Sequence, residues 1–222
     1  MTLKRYRLDE LYNIAYETNR KEKQMKILNL YAGIGGNRQK WGNNHYITAV
    51  EQNPQIAQIY KDFFPQDNVI VDDAHEYLLR HFREYDFIWA SPPCQTHSLA
   101  NLGNINRECF NYPDMKLYQE ILLLKTLYKG QWIVENVTPY YKPLITPNFK
   151  IGRHLFWGST FMLSPQFTLK LSNIWESVSK MEKAYNIDLK SYKLHYKLKR
   201  KILRNCVNPE IGEYIFNQII RG

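Results

Sequence analysis

Five stretches of this 222-residue chain carry residue types that could do chemistry. Ser91-Pro92-Pro93-Cys94-Gln95 sets a thiol on a loop whose two prolines fix φ and forbid continuation of strand or helix. A thiol so placed is a candidate nucleophile. The competing expectation is a small buried hydrophobe, the commoner fate of a lone cysteine. Glu135-Asn136-Val137 follows about forty residues later. Gly33-x-Gly35-Gly36 could bring backbone close to a ligand through angles closed to other residues. Glu51 stands 18 residues after Gly33, near the ~20 expected of an acid that holds ribose hydroxyls. Asp72-Asp73 could cap a helix or meet an adenine amino group; the two members of the pair need not share a role.

The elements that must position these residues read as alternating strands and helices. The run from Lys26 into the glycine turn, Tyr46–Glu51, Asn68–Val71, Asp86–Ala90 and Gln131–Val134 are apolar enough for buried strands. Each delivers one of the chemical stretches at its carboxyl end, where open α/β sheets place their ligands. Helices are expected over 1–24, from Asn53, over 74–81, 114–128 and 209–220, with a further one opened by Asn37 to Trp41. Thr96 to Pro113 is a polar loop, and Tyr140 to Pro147 an irregular run. Residues 153–164 read as one or two strands. The expected class is α/β with a mainly parallel, Rossmann-like sheet.

Composition narrows the partners. A formal net charge of +9 and a pI near 9.3 favour a polyanion, nucleic acid first. Between Lys180 and Arg204 stand nine basic residues against Glu182 and Asp188, interleaved with Tyr185, Tyr192 and Tyr196. That run is either a solvated helix face or a contact with a nucleic-acid backbone. Three widely spaced cysteines, Cys94, Cys109 and Cys206, suggest neither a disulfide framework nor a zinc site. With no apolar stretch of signal or membrane-span length, a reducing, cytoplasmic setting and no membrane partner are expected.

Taken together these stretches resemble the DNA (cytosine-5) methyltransferase family. Tyr31-Ala32-Gly33-Ile34-Gly35-Gly36 matches its cofactor loop, and Ser91-Pro92-Pro93-Cys94-Gln95 its catalytic loop. Glu135-Asn136-Val137 matches the second catalytic motif, and Asn205-Cys206-Val207-Asn208-Pro209 the closing one. The matches span residues 27–217 in the family's order. The resemblance implies a class I methyltransferase sheet and methyl transfer from S-adenosylmethionine to carbon 5 of cytosine. The target would be double-stranded DNA with the base flipped out, as in restriction-modification systems. Cys94 would attack carbon 6, Glu135 would bond the ring nitrogen and amine, and Arg153 the base oxygen. Tyr31, Ala32, Gly33, Gly35, Glu51, Gln52, Asp73 and Asn205 would hold the cofactor, with Asp72 as the alternative to Asp73. Tyr31 as a core aromatic and Asn205 as a helix cap are the competing expectations. Cys109 and Cys206 are expected to be structural.

Two departures stand out. The family carries an Arg-x-Arg pair where this chain has Arg153-His154-Leu155; strand alternation sets Arg153 and Leu155 on one face, and a one-residue shift would bring His154 to the base instead. Only 49 residues lie between Leu155 and Asn205, so the recognition region is minimal. The implied organisation is an N-terminal helix over 1–25, a catalytic domain over 26–160, a small basic recognition region over 161–203, and a returning segment over 204–222. Self-association or a second subunit could complete target recognition. Rival readings are RNA cytosine-5 methylation, exocyclic amino-methylation, and a non-catalytic nucleic-acid-binding relative. Amino-methyltransferases place an aromatic after the two prolines, where this chain has Cys94.

Overall fold

Alternation along the strands sorts the core into two layers. In β1 (Lys26–Leu30), Ile27 faces one side of the sheet while Leu28 and Leu30 face the other, and all three are fully buried. In β4 (Phe87–Ala90), Phe87 and Trp89 join the Ile27 layer, and Ile88 and Ala90 join the Leu28 layer. Burial on both faces explains why these strands read as unbroken apolar runs. The computed structural model of the protein describes residues 24–103, 110–159 and 176–221.

β1 and β4 pair in parallel with each other, with β2 (Tyr46–Val50) and β5 (Gln131–Val137) outside them, and β3 (Asn68–Ile70) beyond β2. β6 (Phe149–Ile151) and β7 (His154–Gly158) form a hairpin that joins β5 antiparallel. The seven-stranded order is β3-β2-β1-β4-β5-β7-β6. This is the expected Rossmann-like sheet of the class I methyltransferase type. β5 outruns its neighbour: β4 ends at Ala90 opposite Val134, so Glu135 to Val137 project past the parallel sheet's edge.

α1 (Pro54–Phe63) and α2 (Ala74–His81) connect β2 to β3 and β3 to β4. Asn53 and Asp73 cap them, each side-chain oxygen accepting from backbone N–H groups of the first turn. α3 (Leu99–Leu102) is one short turn in the loop after β4, and α4 (Lys116–Leu127) returns to β5. Leu117, Ile121 and Leu124 of α4 pack with Tyr77 and Leu78 of α2 on the Leu28 layer. α5 (Val178–Tyr185) and α6 (Tyr196–Asn205) share a separate cluster with Ile34 and Ile59. α7 (Pro209–Arg221) lays Ile211, Ile215, Phe216 and Ile219 on the Phe87 layer.

The helix expected to open at Asn37–Trp41 does not form. The segment is a chain of tight turns, with Arg38, Gln39 and Trp41 N–H groups donating to Gly35, Gly36 and Arg38 carbonyls at 3.0–3.4 Å. α7 takes the space instead. A Cβ on Gly212 of α7 would stand 2.3 Å from the Asn37 carbonyl oxygen, and Trp41 stacks on Phe216. Side chains of the turn are committed inward: Arg38 makes two bonds to Asp67 at 2.9 and 3.1 Å, and Asn37 pairs with Asn29. Such a buried ion pair tolerates no loss of one partner, so it fixes the turn against the α1–β3 connection.

The helix expected over 1–24 falls almost wholly outside the described residues, as do Cys109 and any strand beyond Ser159. Among the described residues, no helix is long and apolar enough to cross a membrane, and no cluster has the makings of a metal site.

Candidate active site

A cleft of about 730 Å³ opens at the carboxyl ends of β1, β2, β4 and β5. Tyr31, Ala32, Gly33, Glu51, Gln52, Asp73, Cys94, Glu135, Arg153 and Asn205 all line it. Of the expected site residues only Gly35 does not. Its φ is +80°, and a Cβ there would stand 2.3 Å from the Phe64 ring and 2.8 Å from that of Tyr60. Gly35 thus packs against the end of α1 rather than lining the cleft itself.

At one end of the cleft, backbone and acids converge. Gly33 has φ +56° with open space where a side chain would be. Glu51 closes the turn from the next strand, one carboxylate oxygen accepting from Gly33 N–H at 3.0 Å and the other from Asn53 N–H at 2.9 Å. Asp73 lines the cleft and caps α2 as well. Asp72 does not line the cleft; the Asp73 N–H it accepts from and the Arg80 guanidinium it binds at 2.5 Å hold its carboxyl below the usual range. The pair therefore divides its roles, and Asp73 is the member available to a ligand.

At the other end stands the thiol. Pro92 and Pro93 carry the chain off β4, and Asn136 Nδ2 donates to the Pro92 carbonyl at 3.0 Å, fastening the loop to β5. The Cys94 carbonyl accepts from His97 and Ser98 N–H groups at 3.1 and 3.0 Å. Burial pushes the half-buried thiol up to about 11, helped by the Glu135 carboxylate and opposed by the Arg153 and Arg204 guanidinium groups. Iodoacetamide alkylation of Cys94 will accordingly be slow at pH 8, about a hundredfold below an exposed thiol, and will climb toward pH 11. Peptide mass spectrometry of the time course would read it; full reactivity at pH 8 would contradict this environment. Cys206, pushed up to about 12 by burial, should react more slowly still.

Glu135 is buried, and its Oε1 lies 2.5 Å from His154 Nδ1. Strand register makes the contact: β7 runs antiparallel to β5 with His154 opposite Val137 and Phe156 opposite Glu135. Arg153 is not on a strand. It sits exposed in the β6–β7 turn after Gly152, whose φ is +58°, and its carbonyl accepts from Thr138 N–H at 2.7 Å. The alternation expected to aim Arg153 therefore starts one residue later, and His154 takes the place beside the glutamate.

From the C-terminal side, α6 borders the cleft with Leu198, Lys201, Arg204 and Asn205, one stripe at helical spacing. Among the described residues, Lys201 and Arg204 have no acidic partner. The chain after Asn205 presses on the glycine turn, since a Cβ on Gly36 would meet Cys206 Sγ at 2.2 Å and the Val207 carbonyl at 2.3 Å.

Sequence reasoning missed a buried group below the cofactor end. Glu120 of α4 is fully buried; its Oε1 accepts from Tyr31 Oη at 2.5 Å and lies 2.9 Å from His75 Nδ1. Tyr31 has φ +55°, which for an aromatic residue costs on the order of 1–3 kcal/mol. A signal existed: Glu120 interrupts the apolar stripe of Leu117, Ile121 and Leu124.

Comparison with known proteins places this geometry. The family model for C-5 cytosine-specific DNA methylases matches residues 25–144, more than half of the chain. A Spodoptera frugiperda tRNA (cytosine(38)-C(5))-methyltransferase is 33% identical over 76 residues, covering 32% of this chain and 23% of that enzyme's length. Among solved structures, a Spodoptera frugiperda DNMT2 mutant is 28% identical, with 50% of this chain and 35% of that chain covered at a TM-score of 0.37. A SAM-dependent methyltransferase from Agrobacterium tumefaciens is 15% identical, with 60% and 44% covered at a TM-score of 0.39. The chain belongs to the C-5 cytosine-specific DNA methylase family, whose methyl donor is S-adenosylmethionine.

Proposed function

We propose that the protein methylates carbon 5 of cytosine in double-stranded DNA through a covalent adduct with Cys94. The observation that carries this reading is the shared cleft: a thiol and a buried glutamate at one end, a glycine turn and two acids at the other. The cofactor end fits S-adenosylmethionine. Gly33 leaves open backbone, Glu51 reaches the end of β2 for ribose hydroxyls, and Asp73 stands at the sheet edge for the adenine amine. Bound there, S-adenosylmethionine supplies an electrophilic methyl group.

The chain's own residues do the rest. A flipped cytosine enters the other end of the cleft. The Cys94 thiolate adds to carbon 6 while Glu135 bonds the ring nitrogen, stabilising the charge that develops as carbon 5 becomes nucleophilic. After carbon 5 is methylated, it loses its proton, and the carbon–sulfur bond breaks to return the thiolate. His154 holds Glu135 in place at 2.5 Å. Arg153 and Arg204 favour the thiolate, offsetting part of the burial that opposes it. Lys201 and Arg204 offer cations to the nucleic-acid backbone at the mouth of the cleft.

RNA is the second reading, favoured by the 33% identity to a tRNA enzyme. One experiment separates the two. The protein is incubated with labelled S-adenosylmethionine and either duplex DNA or transfer-RNA transcript, each carrying 5-fluorocytosine. Fluorine at carbon 5 cannot leave as the proton does, so the adduct persists. A denaturation-resistant adduct with DNA is expected. An adduct with the transcript alone would move the substrate to RNA, and exocyclic methylation without any adduct would sink the carbon-5 route.

A further inference from the structure

The cofactor end of the cleft is lined by three separate segments, and one buried carboxylate ties all three together. Tyr31 lines it from the β1 turn, Asp73 and Ala74 from the start of α2, and Lys116 and Leu117 from the start of α4. Glu120, one turn further along α4, is fully buried and does not line the cleft. Its Oε1 accepts from Tyr31 Oη at 2.5 Å, while His75, next to Ala74, lies 2.9 Å away. The second oxygen, Oε2, is buried without a partner among the described residues. Burial pushes the Glu120 carboxyl up, and the bonds from His75 and Tyr31 oppose that shift; the same bond raises His75.

A carboxylate is costly in such a place, and an apolar residue would continue the Leu117–Ile121–Leu124 stripe at no such cost. What the carboxylate supplies is a directional hold on Tyr31, whose left-handed backbone a bulky aromatic adopts only when its surroundings impose it. Tyr31 begins the turn that ends in Gly33 and Glu51's bond to it. We propose that Glu120 is a positioning residue for S-adenosylmethionine: through Tyr31 and His75 it sets the geometry of the cofactor turn relative to α2. It acts on cofactor affinity and rests on the cofactor assignment alone, independent of whether the acceptor is DNA or RNA.

The test measures S-adenosylmethionine binding to the purified full chain by titration calorimetry, alongside thermal midpoints without cofactor. Wild type, Tyr31→Phe, Glu120→Gln and the double variant form a cycle. Each single change is expected to weaken binding about tenfold, or about 1.4 kcal/mol. The double variant should weaken it no more than the larger single change, because both remove the same contact. Unchanged affinity with a lowered midpoint would make the network merely structural and overturn the proposal, as would fully additive losses. Tyr31→Phe removes one oxygen and keeps the ring, so this arm stands even if Glu120→Gln unfolds the chain. Failure of wild type to bind S-adenosylmethionine would overturn the cofactor assignment instead, a distinct result.

Discussion

Replacing Cys94 with serine will abolish methyl transfer, by at least about 10³-fold in kcat, while leaving S-adenosylmethionine binding intact. Serine keeps the size of the side chain and the loop's backbone bonds, so the expected loss isolates the chemistry. A hydroxyl ionises far above a thiol, and carbon 6 of cytosine needs a strong, soft nucleophile that can also leave. The 5-fluorocytosine adduct must vanish with it. Retained methylation in the serine variant would show that the donor's methyl group reaches the base without a covalent intermediate, and the thiolate mechanism would fall. The raised thiol sharpens this expectation: the free protein holds Cys94 largely protonated at neutral pH. Below that raised value the thiolate fraction grows with pH, so the rate should rise with pH between 7 and 9 in the wild type.

Much of this site was legible because a parallel sheet gathers its strand ends at one edge. Once Tyr31–Gly36, Glu51, Asp73, Cys94 and Glu135 each follow an apolar run, their convergence needs only the topology. What escaped depended on contacts between remote segments. The absent helix at 37–41 was decided by α7, more than 170 residues away, whose Gly212 lies against Asn37. The choice between Arg153 and His154, open in the sequence, turned on one turn: Gly152 at positive φ keeps Arg153 off β7, so His154 is the residue that contacts Glu135 while Arg153 reaches the cleft from the turn. Glu120 was visible as a charge in an apolar stripe, but its partners Tyr31 and His75 come from different connections, which periodicity does not reveal.

The contact between His154 and Glu135 has a catalytic consequence. Glu135→Gln is expected to lower kcat by about 10²–10⁴-fold, the range for losing a positioned acid at a group that develops charge. The amide keeps the shape and burial of the side chain but cannot transfer a proton to the ring nitrogen, so cofactor affinity should hold. The neighbouring residues then separate two assignments. If His154 is what orients the carboxyl, His154→Ala should cost about 10–10²-fold in kcat, because a carboxyl loosened by about 1 Å loses its aim. Arg153 is exposed in the turn, so Arg153→Ala should act on KM for nucleic acid and its salt dependence, with a smaller loss in kcat from the cation it takes away from the Cys94 thiolate. His154→Arg restores the residue type found in the family's Arg-x-Arg pair. It should recover part of the loss from His154→Ala, since a guanidinium can still bond the carboxylate. Single-turnover measurements with S-adenosylmethionine saturating would rank the variants. A larger kcat loss in Arg153→Ala than in His154→Ala would return the base-contacting role to the arginine and reject the geometry of the β5–β7 pair as the one used in catalysis.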